Sequence, residues 1–133
     1  MTSRKATKPS FGPDRMDYAA FAVEWEAAWN SHAIDRIMAH YALDVVFRSR
    51  KAMRLVGQGE IRGRDALRDY WIKALDQQPG LSFIVTNVFI GHAMIVITYR
   101  NQNDVEAAET LRFGPDGLVI EASACHRVPS HSL

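Results

Sequence analysis

Apolar residues in the first half of the chain recur at helical spacing and predict three helices. In the first helix, which ends near Ser31, they come at every third or fourth position. A short second helix begins near Ile34 and keeps its apolar residues on one face as far as Tyr41. The third helix follows Gly63, carries pairs of apolar residues one turn apart, and is closed at Pro79.

The remaining apolar residues alternate with polar ones and predict strands. After the second helix the period changes to two, so that Val45, Phe47 and Ser49 share one face. Between this strand and the third helix, Gly57 and Gly59 indicate an irregular connection. Four strands joined by short turns follow, over residues 81–91, 93–101, 105–113 and 118–128. Helices first and an antiparallel meander after them predict an α+β fold, with the helices packed on one face of a curved sheet.

Three segments carry a family resemblance: residues 29–47 (WNSHAIDRIMAHYALDVVF), 61–71 (IRGRDALRDYW) and 113–119 (FGPDGLV). In order and spacing they resemble the SnoaL-like and ketosteroid isomerase-like members of the nuclear transport factor 2-like superfamily. The resemblance implies a cystatin-like cone, in which a curved antiparallel sheet and three helices from the N-terminal half enclose a pocket. Such proteins are commonly dimers through the open sheet face. The fold hosts isomerases, cyclases, dehydratases, hydrolases and non-catalytic binders, so function must be argued from the pocket.

Length and composition set the domain organisation. The 133 residues suit one domain, and 47% apolar with 23% charged residues is ordinary for a globular protein. We expect residues 1–12 to form a flexible basic arm, residues 13–129 a single domain and residues 130–133 a tail. No apolar run approaches the ~18 residues of a membrane span. No apolar block follows the basic residues at the start, so a cytoplasmic protein without membrane contact is expected.

Charge argues against nucleic acid as a partner, because the net charge is only +1 and the excess of basic residues lies in the arm. Arg48, Arg50, Lys51 and Arg54 form a local exception. Since no aromatic residues are interleaved with them, we interpret this segment as a solvated loop, with a phosphate site as the alternative.

The sequence indicates no cofactor. Its single cysteine, Cys125, excludes an internal disulfide, and strand alternation turns it away from the pocket. Metal sites usually need three or four convergent ligands, and no such pattern is seen. The glycines around Gly57 do not match a dinucleotide-binding motif. Neither a metal nor another cofactor is therefore expected.

Strand alternation and the helical stripes predict which side chains line the pocket. Glu106 and Arg112 are taken as outward, which turns Val105, Glu109 and their alternate neighbours inward; on the last strand, the same reasoning turns Ile120 inward. The ligand-contact candidates are aromatic, apolar or small polar residues: Trp25, Trp29, Tyr41, Phe47, Ser49, Trp71, Tyr99, Asn101, Leu111 and Ala124. An apolar concave site with few polar groups is typical of small-molecule pockets. The alternative is that these aromatic side chains simply fill the cone.

Glu109 and His126 are the candidate catalytic residues. A glutamate within an apolar strand pattern is costly to bury unless it is neutral or paired, and burial raises its pKa. Such a carboxyl can serve as general acid, general base or hydrogen-bond donor to an oxyanion. His126 could partner it as a base. The alternatives are an ion pair of Glu109 with Arg100 or His126, a bulge that turns Glu109 outward, and a histidine at the rim.

The resemblance to the ketosteroid isomerase branch is partial at these positions. Trp25 stands where that branch has its oxyanion tyrosine, and Glu109 where it has its protonated aspartate. Trp71 matches a pocket tyrosine. Ser49 stands at the position of the catalytic base and cannot act as one. The resemblance therefore implies a partly kept oxyanion site without the branch's base, which argues against steroid isomerisation by that mechanism.

These observations lead to one hypothesis with two alternatives. The protein is expected to bind a small apolar ligand, and if it is an enzyme, to catalyse proton transfer of the isomerase, lyase or hydrolase type through Glu109. Trp25 and Tyr99 would be positioning donors. The alternatives are a non-catalytic binding module and a dimerisation domain. A homodimer is expected through the open sheet face, for which the candidate residues are Ile84, Val88, Ile90 and Val96.

Overall fold

Within residues 16–129, which the computed structural model describes, helices and strands follow the predicted α+β order. The helices are α1 (Tyr18–Ser31), α2 (Ile34–Met38), α3 (Arg50–Val56) and α4 (Arg64–Gln77). The strands are β1 (Tyr41–Ser49), β2 (Glu60–Arg62), β3 (Ile84–Gly91), β4 (Met94–Arg100), β5 (Glu106–Phe113) and β6 (Val119–His126). The expected arm of residues 1–12 and tail of residues 130–133 lie outside the described residues.

The six strands form one curved sheet in the order β2-β1-β6-β5-β4-β3. Neighbouring strands are antiparallel except β1 and β6, which are parallel. This parallel pair joins the first long strand to the last one, so side chains from both ends of the chain meet on one sheet face. The predicted fold class, an α+β protein with helices against a curved sheet, is confirmed.

Helix α1 supplies the largest part of the helical side of the core. Asp17 caps it, because its carboxylate accepts a hydrogen bond from the Ala20 amide at 3.0 Å. His32 adopts a left-handed conformation (φ 60°) and ends the helix. The face that α1 buries includes Trp25 and Trp29, as its spacing predicts.

The predicted irregular connection before the third helix is wrong, because residues 50–56 form helix α3 and residues 60–62 form strand β2. Ser49 caps α3 by accepting a hydrogen bond from the Ala52 amide at 3.3 Å, and Gly57 ends it in a left-handed conformation (φ 76°). The basic segment is therefore helical and not a loop. Of the seven residues of α3 only Ala52 is buried, so the sequence shows no apolar periodicity that would predict the helix.

Strand β3 departs from the predicted alternation. A bulge at residue 86 separates the Val85–Tyr99 pair from the Asn87–Thr98 pair and reverses which side chains face outward. Val88 therefore lies opposite buried Ile97 and packs against the core. Ile90 lies opposite buried Ile95, so it points to the core side although it is exposed beyond the helices.

The outer face of the sheet is therefore formed by different residues from those predicted. Ile84 and Val96 keep their predicted outward positions, while Phe89, opposite Val96, replaces Val88 and Ile90. Nearly all of β3 is exposed or half-buried in the single chain, so its long apolar run does not come from burial on both faces.

Two further inward assignments are wrong. Val105 precedes β5 and is exposed, because the chain is still in a turn at this point. A register shift between Arg112 and Phe113 places Val119, and not Ile120, in the core opposite Phe113. From Glu121 onward the predicted alternation on β6 holds, and Cys125 is exposed as expected.

Candidate functional site

A cavity of about 70 Å³ opens between the concave sheet face and helices α3 and α4. Nine of the predicted site residues line it: Trp29, Phe47, Ser49, Trp71, Tyr99, Asn101, Glu109, Ala124 and His126. Seven other residues complete the lining: Lys51, Tyr70, Ala74, Gln78, Leu81, Phe83 and Gln102. A cavity needs roughly 10–15 Å³ of free volume to hold one water, so this one has room for a few waters or for part of a small ligand.

Three of the predicted ligand contacts lie behind the cavity wall. Trp25 stacks on Phe83, with ring centroids 5.5 Å apart, and Phe83 itself forms the wall. Tyr41 packs edge-on against Trp71 at 5.0 Å. Leu111 is fully buried in the core. Strand alternation for Leu111 and the helical stripes for Trp25 and Tyr41 correctly turned these side chains inward, although Tyr41 begins strand β1 and does not belong to helix α2. Neither pattern could separate the wall from the layer behind it.

Glu109 lies in the middle of the sheet, between Ile97 on β4 and Ala124 on β6. Only 4% of it is exposed. The Tyr99 hydroxyl donates a hydrogen bond to its Oε1 atom at 3.2 Å. Burial raises the pKa of Glu109 to about 8, while the Tyr99 hydrogen bond acts in the opposite direction. The carboxyl is therefore largely protonated at neutral pH and can itself donate a hydrogen bond.

The ion pairs considered for Glu109 are not formed. Arg100 binds Asp104 instead, at 3.2 Å. Within residues 16–129, Glu109 accepts its hydrogen bond from Tyr99 and forms no salt bridge. Burial raises the pKa of Tyr99 well above its ordinary value, and the nearby Glu109 carboxyl raises it further. The Tyr99 hydroxyl therefore keeps its proton. The site is thus a neutral pair of hydroxyl and carboxyl.

His126 lies on the same sheet face as Glu109 but one step further along. It is opposite Ala107, whereas Glu109 is opposite Ala124. Two residues along a strand span roughly 7 Å, so the two side chains leave room between them. Burial, Lys51 and Arg54 lower the pKa of His126, which makes the imidazole neutral at pH 7. A neutral imidazole can accept a proton.

Lys51 lines the cavity, although from the sequence it was considered only as part of the basic segment and not as a residue of the pocket. It comes from the first turn of α3 and is half-buried at the cavity mouth. Burial lowers its pKa, and the neighbouring Arg54 lowers the pKa further. Its position depends on a helix that the sequence pattern did not reveal.

Gln78 was also missed, although a signal for it existed. Tyr70 and Ala74 lie one turn apart on α4, and Gln78, four residues after Ala74, caps the end of the helix, so the apolar stripe leads to a polar residue. The Gln78 Oε1 atom accepts a hydrogen bond from Gln102 Nε2 at 3.0 Å. Gln102 lies in the turn after β4, and this bond ties that turn to the end of α4 at the cavity edge.

Aromatic rings in edge contact form the apolar wall. Trp29 and Trp71 have ring centroids 4.9 Å apart, Phe47 and Trp71 5.3 Å, and Phe83 and Tyr99 4.5 Å. Such pairs favour fixed orientations. The wall is therefore rigid, while the polar groups are concentrated at Glu109 and at the mouth.

A search for other chemistry gave two negative findings. Within residues 16–129, no three histidine, cysteine, aspartate or glutamate side chains converge on a possible metal site. None of the helices in that part of the chain has the length and apolar character needed to cross a membrane.

This geometry defines a class of proteins, the α+β cones in which a bent sheet and its helices enclose one pocket. Comparison with known families identifies the branch: the profile of the SnoaL-like domain matches residues 22–128. The chain therefore belongs to the SnoaL-like family, within the nuclear transport factor 2-like superfamily.

Solved structures agree with this assignment. A SnoaL-like protein of unknown function from Burkholderia thailandensis E264 is 31% identical, with 88% of this chain and 99% of that chain covered and a TM-score of 0.82. A protein with a cystatin-like fold from Methylobium petroleophilum PM1 is 18% identical, with 91% and 81% covered and a TM-score of 0.68. TerC, co-crystallised with polyporic acid, is 12% identical, with 81% and 90% covered and a TM-score of 0.67. The last two show the fold alone. A search of the curated proteins found no match.

Proposed function

We propose that this protein binds a small, largely apolar carbonyl compound and catalyses proton transfer on it, as an isomerase or a related lyase or hydrolase. The observation that carries the proposal is Glu109, a buried carboxyl without a cationic partner among the described residues, in the wall of an aromatic cavity. Burial raises the pKa of this carboxyl to about 8. Holding this carboxyl in an apolar wall lowers the stability of the protein, and such a cost is typical of functional groups.

The proposed step uses Glu109 and His126 on either side of the substrate. The neutral imidazole of His126 takes a proton from the carbon next to the carbonyl, and the C–H electron pair moves to form the enolate. The protonated carboxyl of Glu109 donates a hydrogen bond to the enolate oxygen. In a β,γ-unsaturated substrate the enolate extends over the carbon–carbon double bond, and return of the proton from His126 to the γ-carbon gives the conjugated isomer and restores both groups. The roughly 7 Å between the two positions leaves space for such a molecule.

Deuterium exchange tests this proposal without knowledge of the natural substrate. Wild-type protein is incubated with simple enolisable ketones, phenylacetone and cyclohexanone, in D₂O, and the α-carbon signals are followed by NMR. We expect exchange above background, reduced about 10²-fold in Glu109→Gln because an oxyanion donor is weakened. Exchange should also fall as the pH rises above about 8, because Glu109 then loses its proton.

Glu106→Gln is the matched control, since this glutamate lies on the same strand but outside the cavity, paired with Arg127. It should exchange at the wild-type rate. Equal rates in wild type and Glu109→Gln would contradict the proposed role of Glu109. Binding of the ketones without exchange would favour the alternative, a non-catalytic binding protein.

A further inference from the structure

Three basic side chains at the cavity mouth lack an acidic partner. Lys51 and Arg54 lie three residues apart on α3 and are therefore neighbours on its surface. His126 lines the same cavity as Lys51. Within residues 16–129, none of the three forms a salt bridge with a carboxylate.

Other basic residues around the sheet are neutralised by neighbours. Arg48, only three positions before Lys51, binds Glu60 at 2.9 Å and Glu121 at 2.8 Å. Arg112 also binds Glu121, at 3.2 Å. In the part of the chain that the structure describes, carboxylates thus pair with cations on the outer sheet face, and none pairs with the cations at the mouth. Arg54 lowers the pKa of Lys51, and both lower the pKa of His126, which shows that the three groups act on one another.

The mouth is also open on the side where these groups lie. A shallow depression lined by Lys51, Arg54, Tyr70 and Gln78 adjoins the cavity and shares three of these residues with it. An anionic group could therefore reach Lys51 from solvent while the rest of its molecule enters between the aromatic rings.

We propose that the ligand carries a carboxylate, which binds Lys51 and Arg54 at the mouth while its apolar body extends toward Glu109. This inference rests on the proposed function for the location of the ligand and adds the substrate class. Lys51 lines the cavity itself and Arg54 lines the depression beside it, so an anionic group at the mouth can contact both.

Matched ligands test the carboxylate requirement. Phenylacetate and phenylacetamide have the same shape and differ in charge, and Trp29 and Trp71 in the wall provide a fluorescence signal for binding. We expect phenylacetate to bind more tightly than the amide, and its affinity to fall with added salt. Lys51→Gln should weaken phenylacetate roughly tenfold and leave the amide unchanged.

Controls separate this effect from general damage. Lys73→Gln removes an exposed lysine on α4 outside the cavity and should bind both ligands as wild type does. Lys51→Arg should restore most of the affinity for phenylacetate. Circular dichroism and urea unfolding establish that each variant is folded before binding is measured.

Several outcomes would overturn the inference. Equal affinity for acid and amide, an unchanged affinity in Lys51→Gln, or no binding of phenylacetate at millimolar concentration would each do so. Tighter binding of phenyl phosphate than of phenylacetate would assign the mouth to phosphate instead of carboxylate.

Failure of the proposed function is distinguishable from these results. Glu109→Gln should lose deuterium exchange and keep Lys51-dependent binding of phenylacetate. If the wild type binds phenylacetate through Lys51 but exchanges no ketone protons, the anion site stands and the catalytic proposal falls.

Discussion

At the scale of single residues, Glu109 is the group whose environment most clearly departs from that of an ordinary side chain. Its carboxyl is enclosed by apolar strand residues and meets one hydroxyl, that of Tyr99. Tyr41 and Tyr70 are close enough for Glu109 to raise their pKa values as well, after the larger effect of burial on each. No cation among the described residues forms a salt bridge with it. A buried acid in such surroundings is stable as the protonated form.

This protonation makes stability depend on pH. The unfolded carboxyl ionises near its ordinary pKa of 4.5, while in the folded protein the pKa of Glu109 is about 8. Between these values the folded state holds the extra proton, so the free energy of unfolding falls as the pH rises, and it levels off above about 8. Glu109→Gln has no such proton to lose. We expect it to match the wild type near pH 4 and to exceed it by about 2–4 kcal/mol at pH 8.

Urea unfolding at both pH values measures this difference, with Glu106→Gln as the control. That half-buried glutamate, paired with Arg127, should show no gain at pH 8. A Glu109→Gln variant with the same pH dependence as the wild type would mean that Glu109 is ionised in the folded protein.

At the scale of elements, helix α3 has the greatest effect on the site. It carries Lys51 to the cavity mouth, and its first residue follows Ser49, which both caps the helix and lines the cavity. Its end depends on Gly57, whose φ of 76° is costly for a residue with a Cβ atom. The helix is held by its two caps more than by burial, since Ala52 is its one buried residue.

Gly57→Ala should therefore destabilise the protein by about 1–2 kcal/mol through backbone strain alone, because no atom lies within 4 Å of the added Cβ. Gly80→Ala is the matched control. Its Cβ would also meet nothing within 4 Å, but its φ lies outside the left-handed region. Urea unfolding should show a loss for Gly57→Ala and none for Gly80→Ala. Equal losses would contradict the strain argument.

At the scale of the whole molecule, the described helices cover one sheet face and leave the other open. The concave face carries the fully buried residues of β4 and β5, whereas the outer face is half-buried or exposed. The homodimer predicted from the sequence would use this outer face, and the bulge in β3 places Phe89 on it with Ile84 and Val96. Phe89 is 58% exposed in the single chain.

Light scattering at micromolar concentration tests the dimer, because it measures the molar mass in solution. We expect a mass of two chains. Phe89→Lys should shift the mass toward one chain, because it puts a charge into an apolar interface. Ile90→Lys is the control, since Ile90 is 63% exposed on the same strand but on the core side of the sheet. A wild-type mass of one chain would remove the dimer.

The sequence predicted most of the fold because periodicity is a local signal. Each helix or strand was predicted from the spacing of residues within that one element. This holds for the longer helices and the first strand in the first half of the chain, and for the four strands in the second half. It also holds for the inward position of Glu109. The errors lie where one residue changes the period. The bulge at residue 86 moved Phe89 outward, and the register shift near Phe113 exchanged Val119 for Ile120. A bulge is not marked by a particular type of residue, so the alternation of apolar and polar residues does not reveal it.

The α+β class, the family resemblance and the alternation that turns Glu109 inward can be predicted from the sequence, since each depends on spacing along the chain. The three-dimensional fold determines what surrounds that glutamate. It separated Trp29, in the cavity wall, from Trp25 behind it, and it brought Lys51 and His126 to one mouth from α3 and the last strand. A void and its electrostatic field arise from groups far apart in sequence, so no local pattern contains them.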